Sequence, residues 1–354
     1  MPVVERNISI DFKENGIDRT YDEEFSLICK NIEIIIKPRR FIYFIDEKYV
    51  MDTTKGWRYE NLTPAYEKIL VSGLDGMRYE DEQSKFHTSY NSVIYHMMLL
   101  ADRIIQQLSE CDYDVTQQRC WFENLKNRPA QGFEEAIQRM LFVNQMFWQT
   151  DHRLTGLGAW DSILAPYYER DIELGILTKE KALHIIKDLY IILHDNYEFK
   201  SNVLMGDTGQ IFVLGKSDLG GNYIYNDLTL LFIEAMKELQ FPEPKCLLRV
   251  NNKTPREVIE LALDAIATGI GAPLLANDDV IIPKLIEFGI MPEDACAYTT
   301  SACWEPLIGG KSASLNNQMV LNYVRALDNL LKREDLKKIH TFAAACTCTQ
   351  NKKQ

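Results

Sequence analysis

A chain of 354 residues with 46% hydrophobic and 25% charged side chains has the make-up of a globular protein, large enough for one big domain or two ordinary ones. Lys and Arg number 39 against 51 Asp and Glu, a net charge of -12, so there is no basic stripe to neutralise phosphates or to hold an acidic membrane surface, which excludes nucleic acid and membrane as partners. No apolar run approaches the roughly 18 residues of a spanning helix, no secretory stretch opens the chain, and eight cysteines without a CxxC pair fit reduced thiols, so a cytoplasmic protein is expected.

Residues 3–10 alternate weakly and suit an edge strand or an arm. From 22 to 36 the apolar spacing is helical, and Pro38 ends it. A Tyr- and Asp-containing stretch at 53–76 reads as loop. The positions Val93, Met97, Leu100, Ile104 and Leu108 predict a long buried helix over 81–110, and Ile137, Leu141, Phe142 and Trp148 another over 132–149. The first 150 residues are therefore expected to be a mainly helical region.

Beyond Gly156 the character changes. An amphipathic helix is predicted over 178–196, then a buried strand over 210–215, a helix over 227–239 and a second strand over 246–250. Thr254 and Pro255 supply an N-cap and a first-position proline for a helix that runs to 268 and stops at Gly269. A third short strand at 273–276 precedes a helix over 280–288 that Gly289 stops. Asp278 and Asp279 lie just ahead of that helix, where acidic residues serve as caps and dipole partners in preference to magnesium ligands. His152, His184, His194 and His340 have no ligand spacing, so no metal site is expected. Three strand–helix alternations between 205 and 290 predict a parallel α/β sheet or barrel spanning 151–340. Residues 341–354 lack any packing pattern and are expected to be a disordered or aberrant tail.

The stretch 294–306, Asp-Ala-Cys-Ala-Tyr-Thr-Thr-Ser-Ala-Cys-Trp-Glu-Pro, follows the third unit. A Ser/Thr/Ala-rich loop at the carboxyl edge of parallel strands is where α/β folds place active sites. In extended chain, Cys303 and Glu305 would point the same way, a thiol nucleophile or hydrogen-abstracting group beside a general base. On spacing alone the bland alternative leads, because most buried cysteines act as small hydrophobes. Trp304 either walls a pocket or packs against the barrel.

Ser301-Ala302-Cys303-Trp304-Glu305-Pro306 resembles the Gly-Cys-Val-Glu-Pro loop of glycyl-radical enzymes, the pyruvate formate-lyase-like family. Other segments resemble that family in its own order. Gly158-Ala159-Trp160-Asp161 with Pro166-Tyr167-Tyr168 is similar to its Gly-Arg-x-Asp…Pro-(Tyr/Phe)-Tyr stretch. Gly220-Gly221 with Asn226-Asp227-Leu228-Thr229, Arg249-Val250-Asn251, Thr254-Pro255 and Gly271-Ala272-Pro273 continue the series. The resemblance covers roughly residues 135–330. It implies an α/β fold in which the helical N-terminal region joins about half of a ten-stranded barrel, with the cysteine on a loop inside. It implies that Cys303 becomes a thiyl radical that abstracts hydrogen from a small polar substrate, and that Glu305 takes the substrate's hydroxyl proton as a C–O or C–N bond breaks. It further implies that no cofactor is bound directly and that a radical-SAM activating enzyme installs the radical on a glycine, in anaerobic metabolism.

Three departures qualify the resemblance. Ala302 stands where pyruvate formate-lyases carry a second cysteine, which favours a dehydratase-type lyase over formate C-acetyltransferase-like activity. Where the family's diol dehydratases carry His-Ser, this chain has Arg153-Leu154, with His152 one place off, so a different pocket is expected around His152, Arg153, Asp161 and Trp304. After Gly310 there is no glycine at all. The radical is then expected from a missing C-terminal segment or a glycine-bearing partner; failing that, the chain is a catalytically silent α/β fragment acting at most as a binding or scaffold protein.

Overall fold

The computed structural model describes residues 20–46, 60–81, 84–150, 155–195, 210–301 and 304–315, and residue 324. The arm expected at 3–10 and the tail at 341–354 lie outside these. The chain divides into two compact units, Met1–Ser314 and Leu315–Gln354; all that follows concerns the first.

Its first layer is helical. α1 (Tyr21–Asn31) opens on a Thr20/Glu23 capping box and closes five residues before the expected end, where Ile32 turns extended. β1 (Glu60–Leu62) and α2 (Tyr66–Ser72) occupy the stretch read as loop. That reading failed because the helix is under two turns long, too short for a periodic signal to accumulate. α3 (Lys85–Ser109) is capped by the Ser84 hydroxyl, and α4 (Thr116–Leu125) follows it. α5 (Phe133–Gln149) is buried almost all round. Its amide side chains Gln138, Gln145 and Gln149 lie seven and four residues apart, on one face, and hydrogen-bond the extended backbone of Ile42, Phe44 and Asp46. The amide groups of Ile42, Phe44 and Asp46 and the carbonyls of Ile42 and Asp46 are thereby paired without joining a sheet.

The α/β part begins with β2 (Gly158–Ala159), α6 (Trp160–Glu173) and α7 (Lys179–Asp195). β3 (Ile211–Leu214), the short antiparallel pair β4 (Lys216–Ser217) and β5 (Tyr223–Ile224), and α8 (Asp227–Leu239) come next. β6 (Lys245–Val250) leads to α9 (Arg256–Ala265), which starts later than expected: Pro255, not Thr254, is the N-cap, and the Thr254 hydroxyl accepts from the Asn251 amide instead. A π turn, Ile266–Ile270, contains Gly269 at φ 89°, the predicted stop. β7 (Leu274–Asn277) and α10 (Asp278–Glu287) complete the third unit, with Asn277 as the side-chain cap. The four strands order β2-β3-β6-β7, all parallel, as the alternation predicts.

Strand side chains alternate between two faces. Phe212, Leu214, Cys246 and Leu248 enter the large core formed with the helices; Ile211, Val213, Leu247 and Ala276 face the other way, into a smaller cluster. Over that second face lie α11 (Pro292–Cys296) and an antiparallel hairpin of β8 (Tyr298–Ser301) and β9 (Glu305–Ile308). A last strand, β10 (Ala313–Leu315), belongs with β1.

Candidate functional site

The segment expected as a loop at the carboxyl edge is this hairpin, and one buried arginine docks it. Arg249 interrupts the apolar run of β6 on the second face and is 1% exposed. A charge so placed needs a partner and a full set of acceptors. Its Nε and Nη2 donate to the two Asp278 carboxylate oxygens at 3.0 and 2.8 Å, and its Nη1 donates to the carbonyls of Cys296 and Tyr298 at 2.9 and 3.1 Å. The Tyr298 ring lies 3.9 Å from the guanidinium carbon, and its hydroxyl donates to Asp278 at 2.8 Å. Burial, against the pull of the Arg249 charge, holds the Tyr298 phenol well above its ordinary pKa, so it stays a donor. Asp278 is thus a buried ion-pair partner, and the capping role expected of it falls to Asn277. The signal was present in the sequence: a charged residue inside Cys-Leu-Leu-Arg-Val demands an acid elsewhere.

Gly156 lets the hairpin approach. A Cβ there would sit 2.4 Å from the Thr300 carbonyl oxygen and 2.2 Å from the Thr63 hydroxyl. Thr300 and Ser301 are 1% and 0% exposed, and among the described residues their hydroxyls have no hydrogen-bond partner. From Tyr298 on Arg249 the hairpin runs back along β6 to Trp304, whose ring centroid is 6.0 Å from the Lys245 ammonium. Four residues of strand separate those contacts, about 13 Å at about 3.3 Å each. Trp304 therefore lies toward the amino ends of the parallel strands, and the hairpin base, Tyr298 paired with Ile308, over their carboxyl ends.

Cys303, His152 and Arg153 lie outside the described residues. Glu305 is half-buried, begins β9 and pairs in register with Ser301. Trp304 has φ 73°, left-handed, so the chain is not extended between 303 and 305 and alternation does not govern the direction of those side chains. Of the two roles left open for Trp304, it packs against the sheet, in the second cluster. Asp161 is fully buried in a separate node. Its Oδ2 accepts from the Gly215 amide at 2.6 Å and the Thr229 hydroxyl at 2.7 Å, tying α6 to the β3–α8 crossover. Burial raises its pKa more than these hydrogen bonds lower it. Cys246 is an ordinary buried thiol, its pKa pushed up by burial.

At the carboxyl ends of the strands, beneath the hairpin base, lies a cavity of about 500 Å³ with Ala159, Ser162, Lys216, Arg249, Thr299 and Ile308 among its walls. That volume suits a small ligand, and the position is the one open α/β sheets use for ligands.

Comparison with known proteins places this architecture. A family model described as pyruvate formate lyase-like matches residues 45–341. The isethionate sulfite-lyase of Oleidesulfovibrio alaskensis is 26% identical over 212 residues, 57% of this chain and 26% of that protein. The (2S)-3-sulfopropanediol dehydratase of Klebsiella oxytoca is 26% identical over 205 residues, 56% of this chain and 25% of its own length. The crystal structure of a glycyl radical enzyme from Archaeoglobus fulgidus superposes with a TM-score of 0.68 at 22% identity, covering 77% of this chain and 39% of that one. The chain thus spans about a quarter of the length of the curated relatives it matches, and its fold is the helical region plus the partial α/β barrel that the sequence led one to expect.

Proposed function

The chain belongs to the pyruvate formate lyase-like family, and from that membership we propose that it forms the catalytic-domain portion of a glycyl-radical lyase of the dehydratase type. The carrying observation is the hairpin docked on the inner face of the sheet, whose connection contains Cys303. In this reading the Cys303 thiyl takes a hydrogen atom from a substrate carbon, becoming a thiol. Glu305 accepts the proton of the substrate hydroxyl while the neighbouring C–O or C–N bond breaks, and the thiol returns its hydrogen atom to the product radical. A carboxylate at the first position of a docked strand is held by backbone and not by a mobile loop, which suits a base. The substrate is a small polar molecule; dehydratases and a sulfite-lyase among the relatives support C–O and C–S cleavage as the chemistry to test first. Trp304 and Asp161 enter as positioning residues, the first bracing the turn against the sheet and the second fixing α6; His152 and Arg153 are proposed for substrate contact.

The radical source is proposed to be a glycine on another polypeptide segment, activated by a radical-SAM enzyme. Anaerobic reconstitution of the chain with an activating enzyme and a glycine-bearing segment tests the reading. Turnover is expected, lost in Cys303→Ala and slowed on the order of 10²-fold in Glu305→Gln with the glycyl electron paramagnetic resonance signal retained. Full activity in Cys303→Ala overturns it. The second reading is a catalytically silent binding or scaffold protein. Reconstitution that yields a radical on the partner but no product would support that one.

A further inference from the structure

The extended segment held by the glutamines of α5 uses only one of its two edges. In extended chain the main-chain groups of successive residues point to opposite sides, and α5 engages those of Ile42, Phe44 and Asp46. Tyr43 and Ile45 direct theirs the other way. They are 7% and 6% exposed, and among the described residues their main-chain amides and carbonyls have no hydrogen-bond partner. Nearly all such groups in folded chains are paired. Both residues line a groove of about 150 Å³, whose further walls include Ile35 and Lys37, and Ile192 and Asp195 in the last turn of α7. Aliphatic side chains beside unpaired main chain are the chemistry of a strand-addition site. Burial decides what can enter. A folded second copy presents this edge equally sunk, so a single extended segment fits and a folded partner does not.

The chain has such a segment of its own. Residues 3–10, Val-Val-Glu-Arg-Asn-Ile-Ser-Ile, have apolar side chains at 4, 8 and 10. Where they set out from is fixed by α1. Tyr21 lies against Thr150, the neighbour of the Gln149 that holds Asp46, so α1 begins near the Ile45 end of the edge. Residues 11–19 reach at most about 30 Å, more than the roughly 17 Å that five residues of strand occupy. The segment can therefore lie along the whole edge in either direction. The family model's match opens only at residue 45, so this edge is a feature of the chain ahead of that match.

We propose that residues 3–10 add to the free edge of 41–45 as a strand, pairing the main chain of Tyr43 and Ile45 and placing an apolar side chain in the groove. The contact involves neither Cys303 nor a radical, and it stands apart from the lyase reading.

Hydrogen–deuterium exchange, read amide by amide, tests it in the full chain, in a variant lacking residues 1–12, and in full-length Ile8→Asp. In the parent, the Tyr43 and Ile45 amides are expected to exchange as slowly as those of Ile42 and Phe44. In both variants they should accelerate by about tenfold, the size of one lost main-chain hydrogen bond, while Ile42, Phe44 and Asp46 stay within a few-fold. A peptide of residues 3–10 added to the shortened chain should restore the slow exchange, at a concentration that replaces the tether. Fast exchange at Tyr43 and Ile45 in the parent overturns the proposal, and so does slow exchange that survives in both variants, which would mean water or another segment pairs them. Equal acceleration of all amides from 42 to 46 also overturns it, because that pattern reports general loosening. If the shortened chain does not fold, Ile8→Asp is read on the same criteria.

Discussion

The two faces of the parallel sheet are built on different principles. On the helix face, Phe212 stacks on Trp160 with ring centroids 4.4 Å apart, and Tyr190 and Phe232 close the group edge-on and tilted. That face is apolar and densely filled. On the hairpin face the apolar side chains are only aliphatic and small, Ile211, Val213, Leu247 and Ala276. The specificity there comes from one buried guanidinium, one carboxylate and one phenol, while two buried hydroxyls on β8 have no partner among the described residues. A face chosen for stability alone would not keep orphaned hydroxyls or a buried ion pair, since apolar side chains of equal shape would serve it as well or better. The difference teaches that the helices hold the sheet together, and the polar node determines where the hairpin lies.

Phe212→Ala tests the first half of that contrast. It should cost about 3–5 kcal/mol in urea unfolding, the usual penalty for removing a buried aromatic ring, and a loss under about 1 kcal/mol would mean the helix face is not the stabilising one. Arg249→Met leaves Asp278 buried without its partner and should cost a similar or slightly smaller amount, about 3–4 kcal/mol. Pairing it with Asp278→Leu should recover most of that stability without restoring the hairpin's register, visible as faster amide exchange at residues 298–308. If the double variant protects those amides as the parent does, the node does not set the hairpin's position.

Asp161 gives a smaller effect that depends on pH. Its native pKa is raised above the ordinary 3.8, so the folded chain holds the proton to higher pH than the unfolded chain. The associated stability is present below about the unfolded value and is lost as pH rises through the folded one. Asp161→Asn cannot ionise, so the parent's advantage over this variant should shrink between pH 4 and pH 7 in parallel urea titrations. An advantage that grows over that range would reverse the assignment. The smallest effect is expected at Thr300→Val, which replaces an unpartnered hydroxyl by a methyl group and should be neutral or stabilising by up to about 1 kcal/mol. A loss of more than 1 kcal/mol would show that the hydroxyl does have a partner in solution.

Much of the scaffold was legible in the sequence because its signals are local. Gly269 and Gly289 end helices at positive φ, and the apolar runs around Phe212 and Leu247 are short and fully buried, so period and punctuation agree. The short helix α2 left no comparable trace. Nor did the exact start of α9, where a threonine and a proline compete for the cap. The candidate site was harder to read because its geometry is non-local. Arg249 finds Asp278 across 29 positions and Tyr298 across 49, and no spacing rule reports such a meeting. The expectation that Cys303 and Glu305 point the same way assumed extended chain between them, and the left-handed φ of the bulky Trp304 removes that assumption, which no spacing rule could report.

The same node imposes an order of assembly. Arg249 comes from the second crossover unit, Asp278 from the third, and the carbonyls of Cys296 and Tyr298 from the hairpin's approach. The hairpin has no berth until β6 and α10 are already side by side, because the guanidinium would otherwise face apolar surface without its carboxylate. The strand that begins at Tyr298 therefore meets its full set of partners only where both earlier units contribute theirs.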